Sequence, residues 1–202
     1  MNALNRVVVT GLGAITPLGH TVAAYWESLK QGVSGLGPIT LSVTPEELTQ
    51  KVAGEVKDFD PLKHFEDREL STLDRVSQFA VVAAREAIAQ SGITFDMPLS
   101  LRTATIIGTG AGGQNTLDES FRRVYLEKKT RVFPLSIPKL MVNAPASQVS
   151  MHCGLRGPAF VVASACASAT HAIGLAFQMV RSGQVECAVT GGTEACVTFG
   201  TL

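Results

Sequence analysis

The 202-residue sequence is poor in charge, in aromatic residues and in long apolar runs. Charged residues make up 17% of it, and 17 Lys and Arg balance 17 Asp and Glu, so the formal net charge is zero. A chain-wide basic surface is thereby excluded, and nucleic acid is not an expected partner. No uninterrupted apolar stretch approaches the ~18 residues of a membrane span, so none is expected. The opening Met1-Asn2-Ala3-Leu4-Asn5-Arg6 lacks the basic patch, apolar run and small-residue cleavage site of a secretory signal, which points to a cytoplasmic location. There are four cysteines, Cys153, Cys166, Cys187 and Cys196. No two form a Cys-x-x-Cys pair and no histidine stands at zinc-finger spacing, so neither a metal site nor a disulfide framework is expected. The ordinary role of each is a small, reduced, buried hydrophobe.

What the sequence has in quantity is small and aliphatic. Hydrophobic residues reach 46%, and there are 19 Gly against Phe 9, Tyr 2 and Trp 1. That composition describes a globular chain packed through close backbone approaches. Its length suits one domain or a tight pair.

Strand-like and helix-like segments alternate. Val7-Val8-Val9-Thr10 is a β-branched run ending in Gly11-Leu12-Gly13 and reads as a strand buried on both faces. Helical periodicity over 21–31 places Val22, Tyr25, Trp26 and Leu29 on one face, with Gly32 beyond the end. Residues 32–50 read as loop and 51–56 as a second strand. Over 72–90, Leu73, Val76, Ala80, Ala83, Ala84, Ala87 and Ile88 recur at helical spacing between Asp74 and Ser91-Gly92. A strand is expected over 103–108, then the glycine-rich Gly108–Gly113, a charged helix over 115–129 and an apolar helix after Pro138. A strand over 159–163 leads through Ser164-Ala165-Cys166-Ala167-Ser168 into a helix with an apolar stripe of Ala169, Ile173, Ala176, Phe177 and Val180. A last strand spans 185–190 and ends in Gly191-Gly192-Thr193-Glu194. Strands separated by helices of this length imply an α/β fold with a largely parallel sheet flanked by helices.

Cys166 falls where a strand ends and a helix begins. Unsatisfied helix N–H groups and the positive end of the helix dipole converge there and favour a thiolate. Its small neighbours permit a sharp turn and leave room for an acyl group, and the N–H groups of the turn can hold an oxyanion. This is the cysteine counterpart of a nucleophile elbow. On spacing alone a structural buried thiol is the commoner outcome.

Several ordered segments resemble the β-ketoacyl-acyl-carrier-protein synthases, the condensing enzymes of fatty-acid and polyketide synthesis, and their long-chain elongating type in particular. They are Arg6-Val-Val-Val-Thr-Gly-Leu-Gly-Ala-Ile-Thr-Pro-Leu-Gly19, Ala53-Gly-Glu-Val-Lys-Asp-Phe-Asp-Pro61, Leu73-Asp-Arg-Val-Ser-Gln-Phe-Ala80, Ile107-Gly-Thr-Gly-Ala-Gly-Gly113, Gly154-Leu-Arg-Gly-Pro158, Ala165-Cys-Ala-Ser-Ala-Thr-His-Ala-Ile-Gly174 and Gly191-Gly-Thr-Glu-Ala195. The resemblance implies a thiolase-like fold, a five-layer α-β-α-β-α sandwich when complete, of which residues 1–202 form the N-terminal half. It implies that Cys166 is the nucleophile, with its backbone N–H in the oxyanion hole. The thiolate takes an acyl group, malonyl-carrier protein loses CO₂, and the resulting carbanion attacks the thioester. Gly110, Ala111 and Ala165 are placed at the acyl pocket. Ala111 stands where many long-chain members carry a bulkier aliphatic residue, which suggests a widened pocket. No metal or organic cofactor is implied. The implied partners are acyl- and malonyl-loaded acyl-carrier protein and a second copy of the chain in a homodimer.

Lys128, Lys129 and Arg131 form the only tight basic cluster. A solvated helix end accounts for it; with Lys63 and Arg68 it also resembles the family's landing patch for acidic carrier protein. The Gly108–Gly113 loop lacks both the Gly-Lys-Ser/Thr ending of a phosphate loop and a suitably placed acidic residue, so nucleotide binding is not expected. Glu194 is expected to be a buried structural carboxylate bonded to backbone N–H groups. The sequence departs from the family in its histidines. His20, His64, His152 and His171 lie in no motif resembling the two catalytic ones, which belong to the family's second half, and a condensation by residues 1–202 alone is not expected. A non-catalytic acyl- or carrier-binding half-module and a thiolase-type acyl-coenzyme A transferase are the competing readings. Half of such a fold should also expose a large apolar surface.

Overall fold

The helix that organises one side of the molecule begins at a buried carboxylate. In the computed structural model, which describes residues 4–40 and 48–202, Asp74 caps α3 (Arg75–Ser91) by accepting from the Val76 N–H at 3.1 Å. Its other oxygen accepts from the Thr116 N–H at 2.7 Å and the Thr116 hydroxyl at 2.6 Å, so one buried side chain ties the starts of two helices together. Gly92, at φ 66°, closes α3 in the left-handed conformation that glycine takes without cost. In chain order the other elements are α1 (Val22–Lys30), β1 (Gly37–Pro38), β2 (Val52–Ala53), a 3-10 turn (Pro61–Lys63), α2 (Asp67–Leu70), α4 (Met97–Leu101), β3 (Thr103–Gly108), α5 (Gln114–Phe121), a π-helical turn (Arg122–Leu126), α6 (Ser136–Leu140), α7 (Ala144–His152), β4 (Ala159–Val162), α8 (Ser168–Arg181), β5 (Cys187–Gly192) and a second 3-10 turn (Phe199–Thr201). Among the described residues the main sheet has the order β4-β3-β5 and both pairings are parallel.

The β-branched run of β3 forms the central strand, and all six of its residues are buried. One core cluster joins Ala104 and Ile106 of the sheet to Ala172 and Ala176 of α8 and to Val185. The other gathers Phe59, Phe65, Leu73, Phe79, Val81 and Val149 around α3 and α7.

Several expectations are corrected by this packing. Val7–Thr10 is not a buried strand: it has no ladder partner among the described residues, and Val8 and Val9 are 56% and 80% exposed. The chain is instead anchored just after it. Gly11 and Gly13 lie so close to the Ala87 and Ala83 carbonyls that a Cβ would stand 2.0 and 1.8 Å from their oxygens. The Glu86 carboxylate then accepts from the N–H groups of Ala14 and Val22, each at 2.9 Å. The 21–31 helix forms behind the Thr21 cap, yet Trp26 and Leu29 of its apolar face are exposed. The strand over 51–56 shrinks to the two residues of β2, paired antiparallel with β1. The loop expected over 32–50 is interrupted by β1, and its residues 41–47 lie outside the described residues, as do Met1–Ala3 of the opening segment. The charged helix over 115–129 changes to π winding at Arg122 and ends at Leu126. On α8 the buried stripe is Ala172 and Ala176, while Ile173 and Phe177 are exposed, because the helix sits too close to the sheet for large side chains. Aromatic and aliphatic residues accordingly line the surface over 121–142, including Phe121, Tyr125, Leu126 and Ile137. No helix among the described residues is long and apolar enough to cross a membrane.

Three histidines pack on the aromatic cluster. His64 stacks on Phe59 at 5.3 Å, His20 meets Phe59 edge-on at 6.0 Å, and His152 meets Phe65 edge-on at 5.7 Å. Burial, and next the Arg85 guanidinium, lower the pKa of both His64 and His152 below the usual 6.5, against a smaller opposing effect of Asp60 on the first and Glu69 on the second. The unfolded chain therefore binds more protons in the window reaching up to 6.5, so stability rises with pH there and levels off above it. Urea unfolding between about pH 5 and pH 7.5 should show that rise, and His152→Gln should reduce it to the part that His64 contributes. A wild-type profile that falls or stays flat across the window contradicts this assignment.

Candidate active site

The carboxyl edge of the sheet and the N-terminus of α8 meet without room for a side chain. A Cβ on Gly108, at the end of β3, would stand 2.3 Å from the Ser168 carbonyl carbon, and one on Gly192, at the end of β5, 2.5 Å from the Ala169 Cβ. Between β4 and α8 the chain makes the turn that carries Cys166. Ala165 takes φ 50°, a left-handed conformation that an alanine adopts only under constraint. The Ala167 N–H donates to the Ser164 carbonyl and the Ser168 N–H to the Ala165 carbonyl, each at 3.1 Å. The Ser168 hydroxyl braces the same turn, donating to the Ala165 carbonyl at 2.7 Å and accepting from the Ser164 N–H at 2.8 Å. These internal bonds do not use the Cys166 N–H. The side chain of Cys166 is exposed, at the open mouth of the turn.

The glycine-rich loop faces this turn. Gly110 is the residue whose Cβ position lies 3.7 Å from the Ala165 Cα, so the structure brings Gly110 and Ala165 together. Ala111 follows, half-buried. The loop is held by Glu194, which accepts from the Gly110 N–H at 2.7 Å and the Thr109 hydroxyl at 3.0 Å. Glu194 thus makes the backbone bond expected of it, but it is exposed rather than buried, because its carboxylate sits at the rim where β5 ends. Gly112 and Gly113 serve packing: Cβ atoms there would press on Val142 at 2.9 Å and on the Lys139 carbonyl at 2.5 Å. The glycines of this loop therefore carry close backbone approaches.

Two contacts escape sequence reasoning. His171 Nδ1 lies 2.8 Å from the Ser164 hydroxyl, on the cysteine turn itself. Helical spacing from Cys166 puts the two residues on different faces, but Cys166 precedes the helix, so that spacing does not apply. Thr109 is the second; as an uncharged residue in a glycine loop it gives no signal of its pairing with a carboxylate 85 positions on. The basic residues Lys63, Arg68, Lys128, Lys129 and Arg131 are all exposed, on two separate segments. Lys129 pairs with Glu127 at 2.7 Å, and Lys128 takes φ 53°.

The other three cysteines are half-buried rather than fully in the core. Burial, chiefly, pushes the Cys153 and Cys187 thiols up. Burial and a hydrogen bond with Glu194 push Cys196 up to about 11. No group of three or more His, Cys, Asp or Glu able to hold a metal ion occurs among the described residues.

Comparisons with known proteins give the family and the fold. The family model described as "Beta-ketoacyl synthase, N-terminal domain" matches residues 4–202. Nodulation protein E of Rhizobium sp. (strain N33) is 39% identical over 194 residues, which cover 96% of this chain and 48% of that protein. The 3-oxoacyl-[acyl-carrier-protein] synthase 2 of Staphylococcus aureus (strain COL) is 36% identical over 198 residues, 98% of this chain and 48% of that one. Among solved structures, the ishigamide ketosynthase/chain length factor superposes with a TM-score of 0.88 at 30% identity, over 98% of this chain and 49% of its own. The chain spans about half the length of the curated relatives it matches.

The thiols should separate cleanly by reactivity. A thiol raised from 9.0 to about 11 holds about 100-fold less thiolate at neutral pH than an ordinary one. Brief iodoacetamide treatment followed by peptide mass mapping should therefore mark Cys166 first and Cys196 last. Equal labelling of the two contradicts the arrangement described.

Proposed function

Because this chain belongs to the beta-ketoacyl synthase family, as its N-terminal domain, we propose that it carries the acyl-accepting cysteine of an elongating 3-oxoacyl-[acyl-carrier-protein] synthase. The observation that carries the reading is Cys166, exposed on a braced turn between a parallel strand and the N-terminus of α8. The thiolate attacks the carbonyl of an acyl thioester, and the carrier thiol leaves. The product is an acyl-Cys166 thioester. The Cys166 N–H faces the developing oxyanion, and the α8 N-terminus favours negative charge at the same place. Decarboxylation of malonyl-carrier protein then supplies the carbanion that displaces Cys166 and releases a chain two carbons longer. That second step needs imidazoles at the thioester, and three of the four histidines here are committed to Phe59 and Phe65. We assign it to the two histidines that the resemblance places in the family's second half.

In this reading Gly110, Ala111 and Ala165 line the acyl chain. The exposed Lys63, Arg68, Lys128, Lys129 and Arg131 meet the acidic carrier protein, and the working enzyme is a homodimer in the cytoplasm. The carrier assignment rests on charge and exposure, together with the resemblance to acyl-carrier-protein-dependent relatives. No metal or organic cofactor enters the scheme, since the substrates bring their own phosphopantetheine arm. The thiolase-like fold and the N-terminal-domain match support the division of labour between the two halves.

Incubating the complete protein with acyl-carrier thioester should add one acyl mass to the Cys166 peptide, and Cys166→Ala should abolish it. Acylation that persists in the variant refutes the assignment. Ala111→Ile, which fills the proposed pocket, should shift the product profile toward shorter chains; an unchanged chain-length profile removes Ala111 from the pocket.

A further inference from the structure

Away from the cysteine turn, the π-helical turn does something a regular helix would not. Over 121–126 it leaves Phe121, Val124, Tyr125 and Leu126 exposed, with Arg123 half-buried among them. The Arg123 Nε is buried and has no hydrogen-bond partner. An unpaired buried N–H is costly.

Arg123 borders a cavity of about 240 Å³ lined by Ser71, Thr116, Glu119, Ser120, Phe133, Ser136 and Lys139. The walls are α5, the π turn, α6 and the residue after α2. Neither Arg123 nor Lys139 forms an ion pair among the described residues; Glu127 feels the charge of Arg123 but pairs with Lys129. Two wall hydroxyls are already engaged, Ser71 donating to the Arg68 carbonyl and Thr116 to Asp74. The hydroxyls of Ser120 and Ser136 remain as donors beside the two cations. Glu119 is the only acid in the lining, so the wall carries a net positive charge. The volume lies below the roughly 300–1,000 Å³ of pockets for drug-sized ligands, which suits a small group rather than a whole cofactor.

We propose that this cavity is a binding site for a phosphate group, held by Arg123 and Lys139 as charge partners and by the Ser120 and Ser136 hydroxyls. It shares no lining residue with the Cys166 turn, and the proposal does not rest on the acyl-transfer reading. A planar guanidinium matches phosphate oxygens, and Lys139 adds a point charge from a second element.

Isothermal titration of the full chain with inorganic phosphate tests it. Saturable binding at one site is expected, weakened at least about tenfold by Arg123→Gln, since a charge-assisted pair is lost. Glu119→Gln removes the only negative charge from the wall and should tighten binding several-fold, a gain that misfolding cannot imitate. A parallel titration with glycerol 3-phosphate separates the two sources of the group: competition with inorganic phosphate assigns the site to a phosphate ester, and failure to compete assigns it to the free ion. Absence of saturable phosphate binding overturns the proposal, and so does a Glu119→Gln variant that binds no more tightly than the parent.

Discussion

The candidate site depends on a contact that admits no side chain. The end of β3 and the end of β5 both press on the first turn of α8, at Gly108 against Ser168 and at Gly192 against Ala169. The Thr193 N–H donates to the Gly108 carbonyl at 2.9 Å, closing the edge between the two strands. Because α8 cannot back away from the sheet, the five residues between β4 and α8 have one path. That path presents Cys166 at the helix N-terminus and Gly110 against Ala165. A methyl group at either glycine would have to move a helix, and overpacking of that kind costs about 1–3 kcal/mol or more in a well-packed core.

Around this contact, polar side chains fix what apolar packing leaves loose. Asp74 joins α3 to α5, Glu86 holds the 14–22 segment on α3, and Glu194 holds the glycine loop beside the cysteine turn. All three are carboxylates that accept from backbone N–H groups at helix or loop starts, where such donors lack partners. The hydrophobic side chains do a different job. Small ones fill the two cores, and many large ones face outward on α1, α8 and the 121–142 segment. A surface of this kind belongs to a unit built to be covered.

How far the sequence could be read follows from the range of each interaction. The β3 run, the α3 periodicity with its Asp74 and Gly92 boundaries, and the strand–turn–helix at Cys166 are local patterns, and the structure has them within a residue or two. The Val7–Thr10 run is just as strand-like, but a strand exists only beside a partner, and no residue-level signal says whether one is there. On α8 side-chain size does not measure burial; distance to the sheet decides it, and alanine wins where the helix is tight. The Glu194 and His171 contacts join residues through three-dimensional closure, which periodicity does not encode. The π turn at Arg122 breaks a helical pattern, and nothing in the order of its residues announces where the winding changes.

The chain spends glycine freely, yet at Ala165, beside the nucleophile, it does not. A left-handed φ of 50° is one that glycine would take at no cost and alanine takes at roughly 1–2 kcal/mol. Glycine there would also sample many more backbone states, each aiming the next side chain differently. Alanine gives up a little stability and in exchange narrows the directions in which the thiol can point. The turn behaves as a sprung mount rather than a hinge, and any gain in stability from relaxing it would be taken from the aim of the thiol it carries.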